Sequence, residues 1–179
     1  MVLGADKLLK LVKTKKLVEN LALRELTNPE GAGFDLRLGK VHKISGAAFL
    51  GITERNTPKI KLIAEYNKNK KSVIKFKPGD SFLVTTLEKV NLPQNLTACM
   101  WSRSTLYRSG IIFRGGNIAP GYCGELSFLL YNAGKAKVTI ELGARIVHIL
   151  FWEIAGKTNL YRGQWKNGRV STKKREKQV

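Results

Sequence analysis

The sequence predicts an all-β protein, a distorted β-barrel or jelly roll with one short helix near its N-terminus. Several segments alternate apolar and polar residues, as V-T-I-E-L does over 138–142, and a period of two is typical of strands. Glycine and proline turns separate these segments at regular spacing, P-G-D at 78–80 being one example. Short strands joined in this way favour a closed or sandwich-like β-body.

The individual elements can be placed in chain order. Apolar residues recur at helical spacing near the N-terminus and predict an amphipathic helix over about Ala5–Lys16. A first strand or extended segment is expected over 17–23, and a lysine-rich loop over 67–72. Strands are expected at 34–39, 81–90, 96–101, 138–142 and 145–152, with further strands of basic outer face between 41 and 77.

Length and composition predict the domain organisation. At 179 residues the chain can bury a substantial core as one domain, which we expect over 1–160. Glycines and charges over 161–179 indicate a flexible C-terminal arm, with a disordered basic tail at 173–177. No apolar run is long enough for a membrane span and no signal peptide is apparent, so we expect a cytoplasmic protein without a membrane partner. Cys99 and Cys123 are too few for a disulfide framework or a zinc knuckle.

The net charge of +19, from 32 basic and 13 acidic residues, predicts attraction to polyanions. A nucleoside triphosphate is one such partner, but it needs only a local pocket and does not account for the whole excess. Nucleic acid is the competing partner. The basic residues are spread along the chain and no nucleic-acid-binding motif is present, so the charge allows nucleic acid without favouring it.

The stretch from Trp101 to Asn132 carries most of the functional signal. Its first half places two guanidinium groups and two hydroxyl groups within six residues, a donor set suited to phosphate oxygens, in Arg103, Ser104, Thr105 and Arg108. Its second half is rich in glycine, which lets main-chain groups approach a ligand closely. The same residues could instead start an ordinary strand with a solvated arginine, followed by plain turns.

The motifs of this stretch resemble those of the dCTP deaminase and dUTPase superfamily, most closely its archaeal dUTPase branch. R-S-T-L-Y-R at 103–108 is similar to the family's R-S-S-L-x-R, and P-G-Y-C-G at 120–124 is similar to its D-P-G-W/Y-x-G. G-A-G-F-D-L-R-L-G at 31–39 resembles an early family motif, and Y-R-G-Q-W-K-N-G at 161–168 resembles the arm that folds over bound nucleotide. The resemblance covers almost the whole chain in the right order.

The resemblance implies a dUTPase-like fold and a homotrimer with sites between subunits. It also implies hydrolysis of dUTP to dUMP and pyrophosphate, with Mg²⁺ held through the substrate phosphates. The donors at 103–108 would contact phosphates, and the main chain at Asn117 and Ile118 would contact the base. Tyr122 would lie against the deoxyribose, unless it is an ordinary barrel tyrosine. In the arm, the resemblance implies substrate contacts from Tyr161, Gln164 and Trp165.

Two positions depart from the family pattern and bear on the reaction. Family deaminases carry a water-activating glutamate ten residues after the D-P-G aspartate, and this position is Leu129 here, which can neither accept nor donate a proton. The aspartate expected directly before P-G-Y is Ala119, so the usual carboxylate beside base and sugar is missing. Loss of a general base typically costs about two to four orders of magnitude in rate.

Three explanations of Ala119 stay open. Asp35 or Glu125 supplies the carboxylate, the protein binds nucleotide without efficient turnover, or the alanine is an introduced substitution. Asp35 is expected on a strand whose polar residues share one face. By resemblance it lies near the triphosphate and Mg²⁺; by the residues alone it could simply pair with Arg37 or another basic side chain.

His148 stands where the family has glutamine, and we interpret it as a hydrogen-bonded core histidine.

The leading function implied by the resemblance is a deoxyuridine 5'-triphosphate nucleotidohydrolase, which would be impaired if nothing replaces the missing aspartate. One alternative is a dCTP deaminase. The other is a catalytically weak relative that binds nucleotide or nucleic acid.

Overall fold

Strands account for most of the regular structure, as the sequence predicts. The computed structural model describes residues 1–178. In chain order the elements are α1 (Ala5–Lys15), β1 (Val18–Glu19), α2 (Leu23–Thr27), β2 (Gly33–Ser45), β3 (Phe49–Leu50), β4 (Glu54–Asn56), β5 (Lys59–Glu65), β6 (Val73–Phe76), β7 (Ser81–Asn91), β8 (Leu96–Ser102), α3 (Ser104–Arg108), β9 (Ile111–Arg114), β10 (Asn117–Ile118), β11 (Cys123–Asn132), β12 (Val138–Glu141), β13 (Arg145–Glu153) and β14 (Glu176–Lys177).

Two long strands, β2 and β7, organise the main sheet. Its order is β10-β8-β13-β2-β7-β11-β9, with β1 paired to β7 and β5 to β2, and it curls into a half-barrel. The first part of β2 pairs with β13, and the rest pairs with β5 and β7. Strand β2 changes its pairing partners around Gly39, where a Cβ atom would lie 2.7 Å from the Thr86 carbonyl oxygen. Only glycine lets the two strands approach so closely.

The core lies inside this curled sheet. Along β11, every second residue is buried, including Leu126, Phe128 and Leu130, as the period of a strand requires. Burying side chains of this size contributes roughly 1.5–3 kcal/mol each. Helix α1 covers one end of the body through Leu8, which is fully buried, and the backbone N–H of Leu3 donates to Phe151 O at 3.0 Å.

The N-terminal helix predicted over about Ala5–Lys16 is confirmed, and it ends at Lys16 with a left-handed φ of 51°. The strand expected over 17–23 is shorter than predicted, since β1 spans only Val18–Glu19. Helix α2 begins at Leu23. The alternative of an ordinary strand at R-S-T-L-Y-R is wrong, since residues 104–108 form α3. Across residues 1–178, no helix has both the length and the apolar character that crossing a bilayer requires.

The disordered tail expected at 173–177 is also corrected by the structure. Glu176 and Lys177 form β14, which pairs with Arg55 and Glu54 of β4. Together with β3, these strands form a separate three-stranded sheet. Local composition predicted disorder because the tail is strongly basic, but Glu176 supplies a carboxylate that accepts from Arg169 at 2.7 Å.

Candidate functional site

A pocket of about 290 Å³ opens between β10, the turn before β11 and the C-terminal arm. We call it the β10 pocket; its lining residues are Met100, Gly116, Asn117, Ile118, Ala119, Tyr122, Leu126, Ser127, Tyr161 and Trp165. Strand β10 is the terminal strand of the sheet and pairs with β8. Among residues 1–178 its other edge pairs with no strand, so main-chain groups there can face a ligand. Two carbonyls at this edge already accept hydrogen bonds, Ile118 O from Thr97 Oγ1 at 3.0 Å and Ala119 O from the Tyr122 N–H at 3.1 Å. The structure thus gathers the residues that the sequence assigned to base, sugar and arm contacts, apart from Gln164.

Tyr122 is fixed in the wall of this pocket. Its hydroxyl donates to the backbone carbonyl of Glu125 at 2.7 Å, and its ring packs edge-on against Tyr161 with centroids 5.4 Å apart. Burial raises the pKa of Tyr122 to about 12. The phenol therefore stays protonated at neutral pH and cannot serve as a base.

The C-terminal arm lies against its own chain. The backbone N–H of Tyr161 donates to Pro120 O at 2.7 Å, which anchors the start of the arm. Farther along, a Cβ atom on Gly124 would lie 2.5 Å from the backbone nitrogen of Gly168. Gly124 has a φ of +131°, so both its conformation and this contact require glycine. The last glycine of P-G-Y-C-G is therefore where the arm rests.

Arg55 of β4 ties the arm down. Its guanidinium lies 4.5 Å from the centre of the Trp165 ring, donates to the side-chain oxygen of Gln164, and lies 3.5 Å from the Glu176 carboxylate. A cation over an indole ring is stabilising by about 0.5–2 kcal/mol. These contacts hold Trp165 in the wall of the β10 pocket while Gln164 faces Arg55.

A second cleft, of about 380 Å³, lies at the end of β8. We call it the Asp35 cleft; its lining residues are Glu30, Gly31, Asp35, Ser102, Arg103, Ser104 and His148. Arg103 is placed by a backbone hydrogen bond to Ile146 O at 3.0 Å. Strand β8 links the two cavities, because Met100 lines the β10 pocket and Ser102 lines this cleft.

The Asp35 carboxylate gathers cationic side chains around itself. It is only 2% exposed, and Arg145 donates to Oδ2 at 2.9 Å while His148 Nδ1 lies 2.9 Å from Oδ1. Arg103 also pairs with Oδ2, and Arg24 lies 3.8 Å from it. Glu25 pairs with Arg24 at 2.6 Å, and Glu30 lies 3.1 Å from Arg24, so three guanidinium groups share three carboxylates in this cluster. The guanidinium groups are the donors here that match the oxygens of an anionic ligand.

These contacts decide between the two partners expected for Asp35 from the residues alone. It does not pair with Arg37, because Arg37 Nε donates to the buried Glu88 carboxylate at 2.6 Å. It pairs with another basic side chain, Arg145, and lies in a buried cluster. His148 is hydrogen-bonded and half-buried, as the sequence favoured, and burial lowers its pKa. It nevertheless lines the cleft.

Thr105 and Arg108 do not join either cavity in a single chain. Both lie on α3, are exposed, and are absent from the linings of the β10 pocket and the Asp35 cleft. Arg108 follows Ser104 by four residues, so the two side chains share one face of the helix. Exposed aromatic residues lie on either side, with Trp101 51% and Tyr107 58% exposed.

Neither cavity offers a carboxylate without a partner. The lining of the β10 pocket contains no acidic residue among those described, and position 119 contributes only a methyl group. Glu125 is paired with Lys40 at 2.8 Å. Leu129 lies two residues after Ser127, so the two side chains share one face of β11. Leu129 is opposite Leu83 of β7, so this position of the face is apolar and offers no proton donor or acceptor.

The donor set limits how a magnesium ion could be bound. Among residues 1–178, no group of three or more His, Cys, Asp or Glu side chains is arranged to hold a metal ion. Asp35 is a carboxylate of the Asp35 cleft, and both its oxygens already accept from cationic or imidazole groups. A magnesium ion would therefore need oxygen ligands beyond those that these side chains offer.

Several residues of these sites carried no clear signal in the sequence. Arg145 and His148 lie in R-I-V-H-I, which reads as a core strand, and Arg24 precedes a buried Glu25 on a helix that the sequence did not predict. Arg55 lies in the least informative region of the chain. Their roles depend on contacts with residues far away in sequence, which no local pattern records.

The geometry can be compared with known proteins. The model of the dCTP deaminase-like family matches residues 2–154. A "dCTP deaminase, dUMP-forming" of Dictyoglomus turgidum is 32% identical over 159 residues, which are 86% of this chain and 81% of that protein. A "probable deoxyuridine 5'-triphosphate nucleotidohydrolase" of Methanothermobacter thermautotrophicus is 30% identical over 142 residues, 79% of this chain and 89% of that one.

The fold agrees with these matches. The crystal structure of 2'-deoxycytidine 5'-triphosphate deaminase from Agrobacterium tumefaciens superposes with a TM-score of 0.63 over 86% of this chain. This chain spans about half of that one, 48%, and the identity of 20% makes the likeness one of fold alone. The family match covers most of the chain, and the chain therefore belongs to the dCTP deaminase-like family.

Proposed function

We propose that this protein hydrolyses dUTP to dUMP and pyrophosphate. The observation that carries the proposal is the β10 pocket, which combines a free strand edge, Tyr122 and two arm aromatics with an apolar Leu129 on the adjoining strand face. A free strand edge offers alternating N–H and C=O groups, which match the alternating acceptors and donor of a uracil ring. Tyr122 lines this pocket and would lie against the deoxyribose, where its contact would exclude a 2'-hydroxyl.

The triphosphate would occupy the Asp35 cleft or its counterpart on a neighbouring copy. Arg103 and Ser104 line that cleft, and their donors match phosphate oxygens. Thr105 and Arg108 are exposed and contact neither cavity of their own chain, so they are available to a nucleotide held by another subunit. Together with exposed Trp101, this supports an assembly of several copies, and we propose a homotrimer.

In the reaction, water attacks the α-phosphorus and the bond to the bridging oxygen of pyrophosphate breaks. Arg103 and its neighbouring donors would stabilise the oxygens that gain charge, and the arm would exclude bulk water. A magnesium ion bound to the phosphates would neutralise charge as well. Proton removal from the water is the weak step, because Tyr122 stays protonated and Glu125 is paired with Lys40. We therefore expect slow turnover.

A dCTP deaminase is the second candidate, because the names of most of the similar proteins above describe that activity. Deamination needs a group beside the ring that activates water and transfers protons. Leu129 stands where the family's deaminases have that glutamate, and no acidic side chain lines the β10 pocket among the described residues. Leu129 therefore favours hydrolysis over deamination, whereas the lack of an acidic side chain in the pocket would slow either reaction.

Two assays with the purified protein test the proposal. Pyrophosphate release is measured with dUTP and dCTP, and conversion of dCTP to a uracil nucleotide is followed by chromatography. We expect pyrophosphate from dUTP and no base conversion. Base conversion of dCTP would establish the deaminase instead, and saturable binding of dUTP without product would leave a nucleotide-binding relative. Light scattering of the same sample measures whether the protein is a trimer.

A further inference from the structure

A group of exposed lysines lies at the end of the molecule formed by β6, β12 and the turns beside them. We call this group the lysine ribbon; its members are Lys68, Lys70, Lys71, Lys75, Lys77, Lys135 and Lys137. In residues 1–178, the lysines that form ion pairs with acidic side chains are Lys7 and Lys40, and both lie elsewhere. The ribbon's charge is therefore not neutralised by the chain itself.

The pairing of β6 with β12 places these charges on one face. Lys75 lies opposite Thr139, and both are exposed, whereas Phe76 and Ile140 point into the core. Continuing this register by one pair puts Lys77 opposite Lys137. Like charges opposite each other destabilise a sheet. A bound anion would relieve this repulsion between the two ammonium groups.

Hydrogen bonds attach the remaining lysines to the two ends of the β6–β12 pair. The backbone N–H of Leu142 donates to Ser72 O at 2.9 Å, which joins the turn carrying Lys68, Lys70 and Lys71 to β12. Asn132 Nδ2 donates to Phe76 O and to Ala136 O, which fixes the turn carrying Lys135 beside β6. The ribbon thus follows the β6–β12 pair from the turn before Ser72 to the turn at Ala136, and hydrogen bonds hold both turns in place.

Few acidic groups interrupt this surface. Asp80 accepts from the backbone N–H of Lys77 at 2.7 Å and is engaged in its turn, and Glu141 lies at the far end of β12 opposite Val73. Many of the other acidic side chains are used in ion pairs away from the ribbon, such as Glu88 with Arg37. The lysines of the ribbon therefore contribute seven positive charges without ion-pair partners to the net charge of +19.

We propose that the lysine ribbon binds the phosphate backbone of duplex nucleic acid without reading its sequence. Lysine ammonium groups are point charges that neutralise phosphates and carry no base preference. Single strands are usually bound with exposed aromatic side chains that stack on bases. The ribbon offers none, because Phe76 is buried and Tyr66 packs against Gly143. Its outer face also lacks a large apolar group for membrane insertion apart from Val73.

The test compares two triple variants with equal loss of charge. Lys75→Gln, Lys77→Gln and Lys137→Gln remove the centre of the ribbon, whereas Lys10→Gln, Lys13→Gln and Lys15→Gln remove exposed charges from α1. Binding to two duplex DNAs of unrelated sequence is measured by fluorescence anisotropy over a range of salt concentrations. Vesicles containing phosphatidylserine and a single-stranded DNA are measured in parallel.

We expect wild type to bind both duplexes equally, with affinity that falls steeply as salt rises. The ribbon variant should bind at least about tenfold more weakly, and the slope of log affinity against log salt should shrink by about 2 to 3, since each phosphate contact contributes about 0.9. The α1 variant should keep the wild-type slope. Equal losses in both variants, no loss in the ribbon variant, or a stronger dependence on vesicles than on duplex would overturn the proposal.

The result is independent of the proposed hydrolase. None of the substituted lysines lines the β10 pocket or the Asp35 cleft, so pyrophosphate release from dUTP should be unchanged in both variants. Equal thermal midpoints for the three proteins confirm that the substitutions leave the fold intact.

Discussion

The β10 pocket and the Asp35 cleft lie near the same strand, β8, yet they are built from opposite chemistry. The first is lined by main chain, aromatic rings and aliphatic groups, and the second by three charged side chains, two serines, a glycine and a histidine. This division is what a nucleotide requires, because a base is recognised by shape and hydrogen bonds whereas a triphosphate is recognised by charge. Among the described residues, neither region has a carboxylate without a partner. We therefore expect slow release of pyrophosphate from dUTP, because no group is ready to take the proton of the attacking water.

The largest expected effect is a gain of activity in Ala119→Asp. A carboxylate at this position would stand in the wall of the β10 pocket, where it could accept a proton from the attacking water. We expect kcat for pyrophosphate release from dUTP to rise by about 10²- to 10⁴-fold. Ala119→Asn has the same shape without the base and should show no such gain. A folded Ala119→Asp protein with wild-type kcat would show that the base lies elsewhere.

The Asp35 cleft is tested by Arg103→Ala, which removes one of its cations. We expect kcat/KM for dUTP to fall by about 10²- to 10³-fold, as loss of one donor to a developing charge typically does. Asp35 keeps Arg145 and His148 as partners, so the fold should persist. Arg114→Ala on exposed β9 is the matched control. Equal activity of both variants would remove Arg103 from the proposed site.

The arm is tested by Arg55→Ala, which removes the contacts to Gln164, Trp165 and Glu176. We expect KM for dUTP to rise about tenfold with a smaller change in kcat, because the loss of a cation–π contact and its hydrogen bonds weakens closure. Trypsin should also cleave the arm faster. Arg162→Ala, an exposed arm residue, is the control. Unchanged KM together with unchanged cleavage would contradict the role given to Arg55.

The smallest expected effect is a pH dependence of the free energy of unfolding, and its source is a histidine of strand β2 that lines neither cavity. His42 is 6% exposed, and burial lowers its pKa below the ordinary value of about 6.5. The folded protein thus binds this proton less readily than the unfolded chain, so the stabilisation is present above pH ~6.5 and is lost as pH falls below it. Urea unfolding should show this loss in wild type and a flatter profile in His42→Leu. Parallel profiles would exclude His42 as the source.

The alternation of residues was sufficient to place the main strands, because side-chain period and burial are local properties of a β-body. The donor set at 103–108 and the family resemblance pointed to Arg103 and Tyr122, and the structure finds both residues at cavities. The tail at 173–177 was predicted wrongly, because pairing of Glu176 with Arg55 joins residues 121 positions apart.

By itself, therefore, the sequence determined the β-rich fold class, the order of the motifs and the absence of a carboxyl side chain at Ala119 and Leu129. Only the tertiary structure decided which cations surround Asp35, where the arm rests and which lysines form one surface. Arg145 meets Asp35 across 110 positions of chain. Such contacts depend on how strands pair and curl, and the free energy that selects them is distributed over the whole core.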